Sequence, residues 1–193
     1  MGALYRLDIG EYIRAYGVDT FLETGTASGD SLAHALTFPF EKLFSIEIDA
    51  EQYRQTLPRF TQEQRATLVH ASSIKGMQQI LPGIEGRILF WLDAHFPGEW
   101  RGVARDTEDD MGIRLPLEQE LSIIRELRGG APDVLLIDDL RIYEDGPFTN
   151  GNWADRRTQG GDGIGFVHQL FDASHHITRI HLDEGYITLT PRT

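Results

Sequence analysis

A short glycine loop is the first place where this sequence could do chemistry. In the stretch FLETGTASGDS, Gly25 and Gly29 lie four residues apart, with small residues between them and an apolar segment before them. Glycine at such a turn lets backbone N–H groups approach a ligand closely. The dinucleotide fingerprint G-x-G-x-x-G is incomplete here, and no Lys-Ser/Thr pair follows as in a Walker A loop. The loop therefore predicts a cofactor other than a dinucleotide, or else only a turn between a strand and a helix.

Acidic residues on both sides of this loop restrict the kinds of ligand that it could bind. Glu23 lies two residues before Gly25, and Glu47 or Asp49 ends the next apolar stretch, KLFSIEID. An acid about 20 residues beyond such a loop bonds ribose hydroxyls in nucleotide-binding α/β folds. Because acids repel a pyrophosphate, the pattern favours a ligand with a ribose, no phosphate and a positive charge. If the loop is only a turn, Glu47 is instead a solvated strand end.

Three aspartates form a second candidate constellation. Asp93 follows the apolar run RILFWL, and Asp138 and Asp139 follow VLLI, so all three are expected at the carboxyl ends of strands, which are neighbours if the strand order is the usual one for this class of fold. Clustered carboxylates repel one another, and a hard divalent ion such as Mg²⁺, Mn²⁺ or Ca²⁺ relieves that repulsion. Alternatively, Asp138 caps a turn and Asp139 is solvated. His95 is the best candidate general base, because imidazole titrates near neutrality, and Asp93 is the other; a hydrogen-bonding role for His95 is equally open.

Alternating elements position these residues. An amphipathic helix is predicted over 8–16, followed by strand, helix and strand in strict alternation from residue 19 to residue 139. Asp30 or Ser31 is available as the N-cap of the helix after the glycine loop. A further helix and a hairpin, turned at Asp183–Gly185, end the chain, so the last strand runs antiparallel. The order predicts an α/β fold, a mostly parallel sheet with helices on both faces. Glu118 and Glu120 are expected to be favourable charges in the first turns of a helix.

Composition excludes several classes of protein. The 193 residues fit a single domain spanning 1–193, with 30 acidic residues against 18 Lys and Arg and a net charge of −12. This acidity argues against nucleic acid as a partner, because Lys and Arg supply most of that affinity. The absence of cysteine excludes disulfides and thiolate metal sites. With neither a signal peptide nor an apolar run long enough to span a bilayer, the chain is expected to be cytoplasmic, with no membrane partner.

ETGTASG followed by SIEID resembles motif I and the acidic second-strand end of class I S-adenosylmethionine-dependent methyltransferases. The resemblance covers nearly the whole chain and implies a Rossmann-like, seven-stranded sheet with an antiparallel C-terminal hairpin strand. It departs from motif I at Ala27, where the family has a glycine. By position it implies that the loop faces the methionine part of the cofactor, Glu47 the ribose and the HASS stretch the adenine. The implied cofactor-binding residues are Glu23, Gly25, Thr26, Ala27, Ser28, Gly29, Glu47, Ile48, Ala71, Ser72 and Asp93.

The aspartates look like those of metal-dependent, macrocin-type small-molecule O-methyltransferases. That resemblance implies metal binding by Asp93, Asp138 and Asp139, with Mg²⁺ the expected ion, and methylation of a small hydroxylated acceptor. The acceptor pocket must then come from the irregular stretches 96–114 and 143–165, or from a second subunit of a homo-oligomer. Trp100 and Trp153 in these stretches could pack on the acceptor or anchor the loops. The alternatives are a non-catalytic cofactor- or metal-binding module and a metal-dependent hydrolase or hydroxylase-like relative.

Overall fold

The computed structural model describes residues 3–95, 115–153 and 163–192. Seven strands form one sheet in the order β3-β2-β1-β4-β5-β7-β6. The first five are parallel, and β7 runs antiparallel to both β5 and β6. The strands are β1 Thr20–Thr24, β2 Lys42–Glu47, β3 Ala66–His70, β4 Ile88–Leu92, β5 Val134–Ile137, β6 His175–Ile180 and β7 Tyr186–Pro191. The expected fold class, including the antiparallel hairpin, is confirmed.

Helices cover both faces of this sheet, as the alternating pattern predicts. They are α1 Ile9–Tyr16, α2 Asp30–Ala35, α3 Ala50–Thr56, α4 Ser73–Ile80, α5 Leu117–Arg128 and α6 Gly165–Phe171. Short 3₁₀ turns lie at Leu4–Arg6, Leu57–Arg59, Leu81–Gly83 and Leu140–Ile142. None of the helices in the described ranges has both the length and the apolar character needed to cross a bilayer.

The central strands are buried on both faces because their side chains alternate between two apolar clusters. In β4, Leu89 and Trp91 join the cluster beneath α1 and α2, whereas Phe90 joins the cluster beneath α4, α5 and α6. All five residues of β4 are buried. This double burial explains the near-continuous apolar sequence of the strand. The sheet is thereby a rigid support for the loops at its carboxyl edge.

Two strands end earlier than their apolar patterns suggest, because the residues that follow cap helices. Strand β2 stops at Glu47, and the Asp49 carboxylate accepts the backbone N–H groups of Glu51 and Gln52 at 2.8 and 3.1 Å. Likewise β3 stops at His70, and the Ser72 hydroxyl accepts the N–H of Lys75. These side chains satisfy donors that a helix leaves free at its first turn.

Candidate functional site

The glycine loop lies directly against the segment that follows β4. Gly25 has φ +85°, and a Cβ atom built there would lie 2.4 Å from the backbone oxygen of Asp93. Only glycine fits that position, because the left-handed backbone is strained for other residues and the space is already filled. The loop and Asp93 are therefore brought together by backbone packing, independently of any side-chain contact.

Ala27 keeps the left-handed conformation that glycine would offer at this point of the motif. Its φ is +46°, its N–H donates to Glu47 Oε2 at 2.9 Å, and its carbonyl accepts from Gln52 and Thr56 of α3. Three side-chain atoms of the neighbouring elements thus fix the loop despite the extra methyl group. Ala27 and Ser28 are exposed, which places them on the open side of the loop, whereas Thr26 is buried and shares a hydrogen bond with Ser45.

The N-cap expected at Asp30 or Ser31 is wrong. Gly29, with φ +81°, is the N-cap of α2, and Asp30 is the first helical residue. A Cβ atom at Gly29 would lie 2.7 Å from Phe60, so close packing against the turn after α3 selects glycine here. Asp30 instead pairs with Arg59 and stays near the positive end of the helix.

Glu47 holds the loop to the end of β2. Its side chain is buried, with Oε2 on the N–H of Ala27 and Oε1 on the N–H of Asp49, the latter at 2.8 Å. Each carboxylate oxygen has a further lone pair, so the group can also accept from a ligand hydroxyl. Ile48 follows at the same edge, half-buried, and its carbonyl bonds the ring of His70.

The two residues assigned by position to the adenine lie beside Glu47. The N–H of Ala71 donates to the backbone carbonyl of Glu47 at 3.0 Å. Ser72 is half-buried, and its hydroxyl caps α4, so the helix already uses part of its bonding capacity. The structure thus brings Ala71, Ser72, Glu47 and the glycine loop to one edge of the sheet.

Glu23 is a fully buried acid beneath the loop. Ser45 donates to its Oε1 at 2.6 Å, while its Oε2 has no hydrogen-bond partner among the described residues. Burial raises the pKa of this carboxyl to about 8, partly offset by the Ser45 hydrogen bond, and the charge of Glu47 raises it further. A buried acceptor without a partner is costly, and a cationic ligand donor would satisfy it.

The second constellation forms, with a histidine at its centre. One ligand atom each from Asp93, His95 and Asp139 lies within 4.8 Å of the others. His95 Nδ1 is 3.7 Å from Asp93 Oδ1, and His95 Nε2 bonds Asp139 Oδ2. Asp139 is held in the left-handed region, φ +53°, at the start of the 3₁₀ turn after β5. The side chains are partly exposed, at 30% for Asp93, 11% for His95 and 17% for Asp139.

Asp138 lies next to this group of three but does not contribute a ligand atom to it. It is buried, and its Oδ1 accepts the N–H of Asp139 at 2.8 Å, which supports the left-handed backbone there. It is absent from the set of donors that converge within the described residues. Burial and the adjacent charge of Asp139 raise the pKa of Asp138. Of the three aspartates predicted from the sequence, two lie in the cluster and one supports it.

The charges of the cluster are strongly coupled. Burial works against the protonation of His95, but the hydrogen bond and charge of Asp139 outweigh it and raise the His95 pKa to about 9. The same pairing lowers the pKa of Asp139 against the effect of its burial. Burial and the charge of Asp138 raise the pKa of Asp93. Arg141 Nε, 3.6 Å from Asp139 Oδ1, adds a second positive charge, and its guanidinium lies over the ring of Trp153 at 5.1 Å.

Glu120 is a site residue that the sequence reasoning missed. It lies in the first turn of α5, as predicted, but it is 1% exposed, and its Oε1 has no hydrogen-bond partner among the described residues. Burial raises its pKa to about 7, against the effect of the nearby Ser73 and Thr24 hydroxyls. The signal was present: Leu117, Glu120, Leu121 and Ile124 follow the i, i+3, i+4, i+7 stripe of a buried helix face.

Parts of the expected acceptor site lie outside the described residues. These are Trp100, the whole of 96–114, and 154–162 within the second irregular stretch. Trp153 is half-buried and anchored by Arg141, which fits the loop-anchoring role considered for it.

No protein-family model matches the sequence, and no curated protein matches it. Solved structures do. The Podospora anserina methyltransferase PaMTH1, solved with SAH bound, matches with a TM-score of 0.61 and 14% identity over 95% of this chain and 76% of that chain. A Staphylococcus aureus protein proposed to be a caffeoyl-CoA O-methyltransferase matches with a TM-score of 0.58 and 12% identity over 94% and 80%. A Klebsiella pneumoniae protein proposed to be an O-methyltransferase matches with a TM-score of 0.55 and 15% identity over 97% and 82%.

At these identities the comparisons show the fold. The chain has the Rossmann-like fold of class I S-adenosylmethionine-dependent methyltransferases, as the resemblance of ETGTASG and SIEID implied.

Proposed function

We propose that the protein is an S-adenosylmethionine-dependent O-methyltransferase that acts on a small hydroxylated acceptor with the help of a divalent metal ion. The observation that carries the proposal is the packing of Gly25 against the backbone of Asp93. This contact sets a cofactor-type loop beside a cluster of carboxylates and an imidazole. Methyl transfer needs those two parts together, one to hold the methyl donor and one to orient and deprotonate the acceptor.

The residues of the loop fit S-adenosylmethionine. The exposed stretch at Ala27 and Ser28 leaves the loop open to a ligand, and Glu47 beneath it has lone pairs for ribose hydroxyls. Glu23, with its unpartnered Oε2, supplies a buried acceptor for a cationic group. Gly25, Thr26 and Gly29 shape the loop, and Ile48, Ala71 and Ser72 adjoin Glu47 on the adenine side. When bound, the cofactor supplies a methyl group on a sulfonium, which leaves as a neutral thioether.

Asp93, His95 and Asp139 fit a divalent ion, because their donor atoms converge and Asp139 Oδ1 is buried without a hydrogen-bond partner among the described residues. Such an ion supplies Lewis-acid character, which lowers the pKa of a bound hydroxyl. In the reaction a C–O bond forms, the S–CH₃ bond breaks with its electron pair going to sulfur, and the hydroxyl proton passes to a base. His95 and Asp93 are the candidates for that base.

Calorimetric titration with S-adenosylmethionine tests the cofactor half. Glu47→Ala removes two charge-assisted hydrogen bonds within the protein and the acceptor for the ribose. A hydrogen bond to a charged group contributes about 1.5–3 kcal/mol, so the loss of the ribose acceptor should lower the affinity for S-adenosylmethionine by about 10- to 100-fold. Glu51→Ala, at an exposed position four residues away, is the matched control and should bind like the parent. Undiminished binding in the Glu47→Ala protein would refute this cofactor site.

Turnover measurements test the catalytic and metal-dependent part of the proposal and distinguish it from the non-catalytic module and the hydrolase-like relative. Release of S-adenosylhomocysteine is measured over a panel of hydroxylated acceptors, with chelator and with added divalent metal. Metal-stimulated release supports the proposal. Cofactor binding without turnover on any acceptor favours the non-catalytic module, and metal binding without affinity for S-adenosylmethionine favours the hydrolase-like relative.

A further inference from the structure

The composition of the acidic cluster differs from the all-oxygen set that three aspartates would provide. Its converging donors are two carboxylates and one imidazole nitrogen, from Asp93, Asp139 and His95. Asp138 would have completed an all-oxygen set, but its Oδ1 accepts a hydrogen bond from the backbone N–H of Asp139. The site therefore offers mixed nitrogen and oxygen ligands.

A second buried polar group adjoins His95, one of these three residues. Glu120, on α5, is 1% exposed and has a carboxyl oxygen with no hydrogen-bond partner among the described residues. Glu120 lines a cavity of about 10 Å³ together with His95, Asp138 and Tyr143. That volume is close to the room needed for one water molecule, and the polar lining suits one. A buried carboxylate and the imidazole of His95 thus line the same small cavity.

We propose that Asp93, His95 and Asp139 bind a first-row transition-metal ion of the Mn²⁺, Fe²⁺, Co²⁺ or Zn²⁺ group in preference to Mg²⁺ or Ca²⁺, and that Glu120 is a positioning residue for His95. The inference rests on the metal half of the proposed function and is independent of its cofactor half. Imidazole is a ligand of transition metals, whereas Mg²⁺ and Ca²⁺ select oxygen. Two carboxylates with one neutral imidazole also balance the charge of a divalent ion.

This ligand set has two consequences for the roles expected from the sequence. An imidazole nitrogen that coordinates a metal has no lone pair left for a proton, so His95 is removed as general base and Asp93 remains. Asp138 becomes a supporting residue, which holds the backbone of Asp139 in its left-handed conformation. Glu120 then acts on the ion only through His95 and a bridging water, in the way that outer carboxylates orient metal-bound histidines.

Direct metal binding provides the test. Chelator-stripped protein is titrated calorimetrically with Mn²⁺, Co²⁺, Zn²⁺, Mg²⁺ and Ca²⁺, and the visible absorption of the Co²⁺ form reports nitrogen coordination. We expect Co²⁺ to bind more tightly than Mn²⁺, following the usual order of stability, and Mg²⁺ and Ca²⁺ to bind at least about 100-fold more weakly than Co²⁺. Equal affinity for Mg²⁺ and Co²⁺, or no binding of any of the five ions, would overturn the proposal.

Variants identify the ligands. His95→Asn should abolish the preference for Co²⁺ and weaken Co²⁺ binding by more than about 100-fold. Glu120→Gln and Asp138→Asn should weaken Co²⁺ binding by about 10- to 100-fold, the loss that is typical when a residue supporting a metal ligand is changed. His168→Asn is the matched control, because His168 pairs with Asp172 at the surface of α6. If Asp138→Asn weakens Co²⁺ binding more than His95→Asn does, the ligand assignment is wrong.

The same samples separate this proposal from the proposed function. Titration with S-adenosylmethionine in excess chelator measures the cofactor site alone, and circular dichroism confirms that each variant is folded. Normal cofactor binding combined with Mg²⁺-stimulated turnover and no transition-metal preference would overturn the metal assignment while leaving the methyltransferase proposal in place.

Discussion

The buried carboxyl of Glu23 should make the stability of the protein depend on pH in a predictable direction. Its side chain is 0% exposed, and burial raises its pKa from an ordinary 4.5 to about 8. In the unfolded chain this carboxyl loses its proton near pH 4.5, whereas in the folded protein it keeps the proton until about pH 8. The folded state therefore binds more protons between these values, and the free energy of unfolding must fall as pH rises through that window.

The size of the effect follows from the same pKa. At about 1.4 kcal/mol per pH unit, the rise to about 8 corresponds to an upper bound of about 5 kcal/mol lost between pH 4.5 and pH 8. The charge of Glu47 contributes to the raised pKa of Glu23, and Asp93, whose own pKa is raised, also interacts with this carboxyl, so protonation of Asp93 lowers the bound. A Glu23→Gln protein keeps the acceptor for the Ser45 hydroxyl but carries no charge. It should be about as stable as the parent at pH 5 and more stable by about 2–5 kcal/mol at pH 9.

Urea unfolding at pH 5, 7 and 9 measures this difference, with Glu51→Gln as an exposed control whose difference from the parent should not change with pH. Comparing variant with parent at each pH removes most of the contributions of the other groups, including His95, whose raised pKa makes stability fall as pH rises from about 6.5 to about 9. A difference between Glu23→Gln and the parent that stays constant from pH 5 to pH 9 would show that Glu23 does not hold a proton in the folded state, and the reasoning would be refuted.

Three further substitutions test the glycine loop at the site and an ion pair at the opposite edge of the sheet. Gly25→Ala places a Cβ atom 2.4 Å from the Asp93 oxygen, so we expect a loss of more than about 3 kcal/mol in urea unfolding, against less than about 1 kcal/mol for Gly83→Ala, which has open space. Ala27→Gly relieves about 1 kcal/mol of strain at φ +46° but frees the unfolded chain by a similar amount, so stability and cofactor affinity should change little; a fall of more than about 2 kcal/mol would contradict this account. Asp133→Ala removes the partner of Arg128 and of the Ile88 N–H, and should cost about 3–5 kcal/mol, whereas Glu126→Ala on the exposed face of α5 should stay within about 0.5 kcal/mol.

The framework of the site could be predicted because it depends on strand ends. Apolar runs that stop at an acid place Glu47, Asp93 and the Asp138–Asp139 pair at the carboxyl edge of a parallel sheet, whatever their side chains do there. The alternation of strands and helices predicted a parallel sheet, and the strand order usual for this class of fold, which the structure confirms, made β1, β4 and β5 neighbours. The positions of strands and of their ends are properties of the backbone, and the spacing of apolar residues in the sequence predicts them directly.

Side-chain directions could not be predicted in the same way. Asp138 and Asp139 are adjacent, and Asp139, the one that joins His95 in the cluster, has a left-handed φ, a conformation that the periodicity of apolar residues does not specify. His95 enters the cluster because the chain bends after β4, where the Gly25 loop packs against Asp93. Glu120 was assigned by its place near a helix terminus, although its place on the apolar stripe was the stronger signal.

The balance of charge at this edge of the sheet links the two halves of the site. Six acids that are buried or partly buried meet there, and among the described residues His95 and Arg141 are the cations that contact them. The acids are Glu23, Glu47, Asp93, Glu120, Asp138 and Asp139.

Buried carboxylates that lack hydrogen-bond or ion-pair partners destabilise the folded chain. Part of this destabilisation is avoided because Glu23, Glu120 and Asp138, whose pKa values are raised, keep their protons. A cation that binds there replaces those protons and recovers the penalty as binding free energy. The excess of carboxyl groups at this edge therefore favours the binding of cations. It matches the proposed sulfonium cofactor on the side of Glu23 and Glu47 and the proposed divalent ion on the side of Asp93, His95 and Asp139.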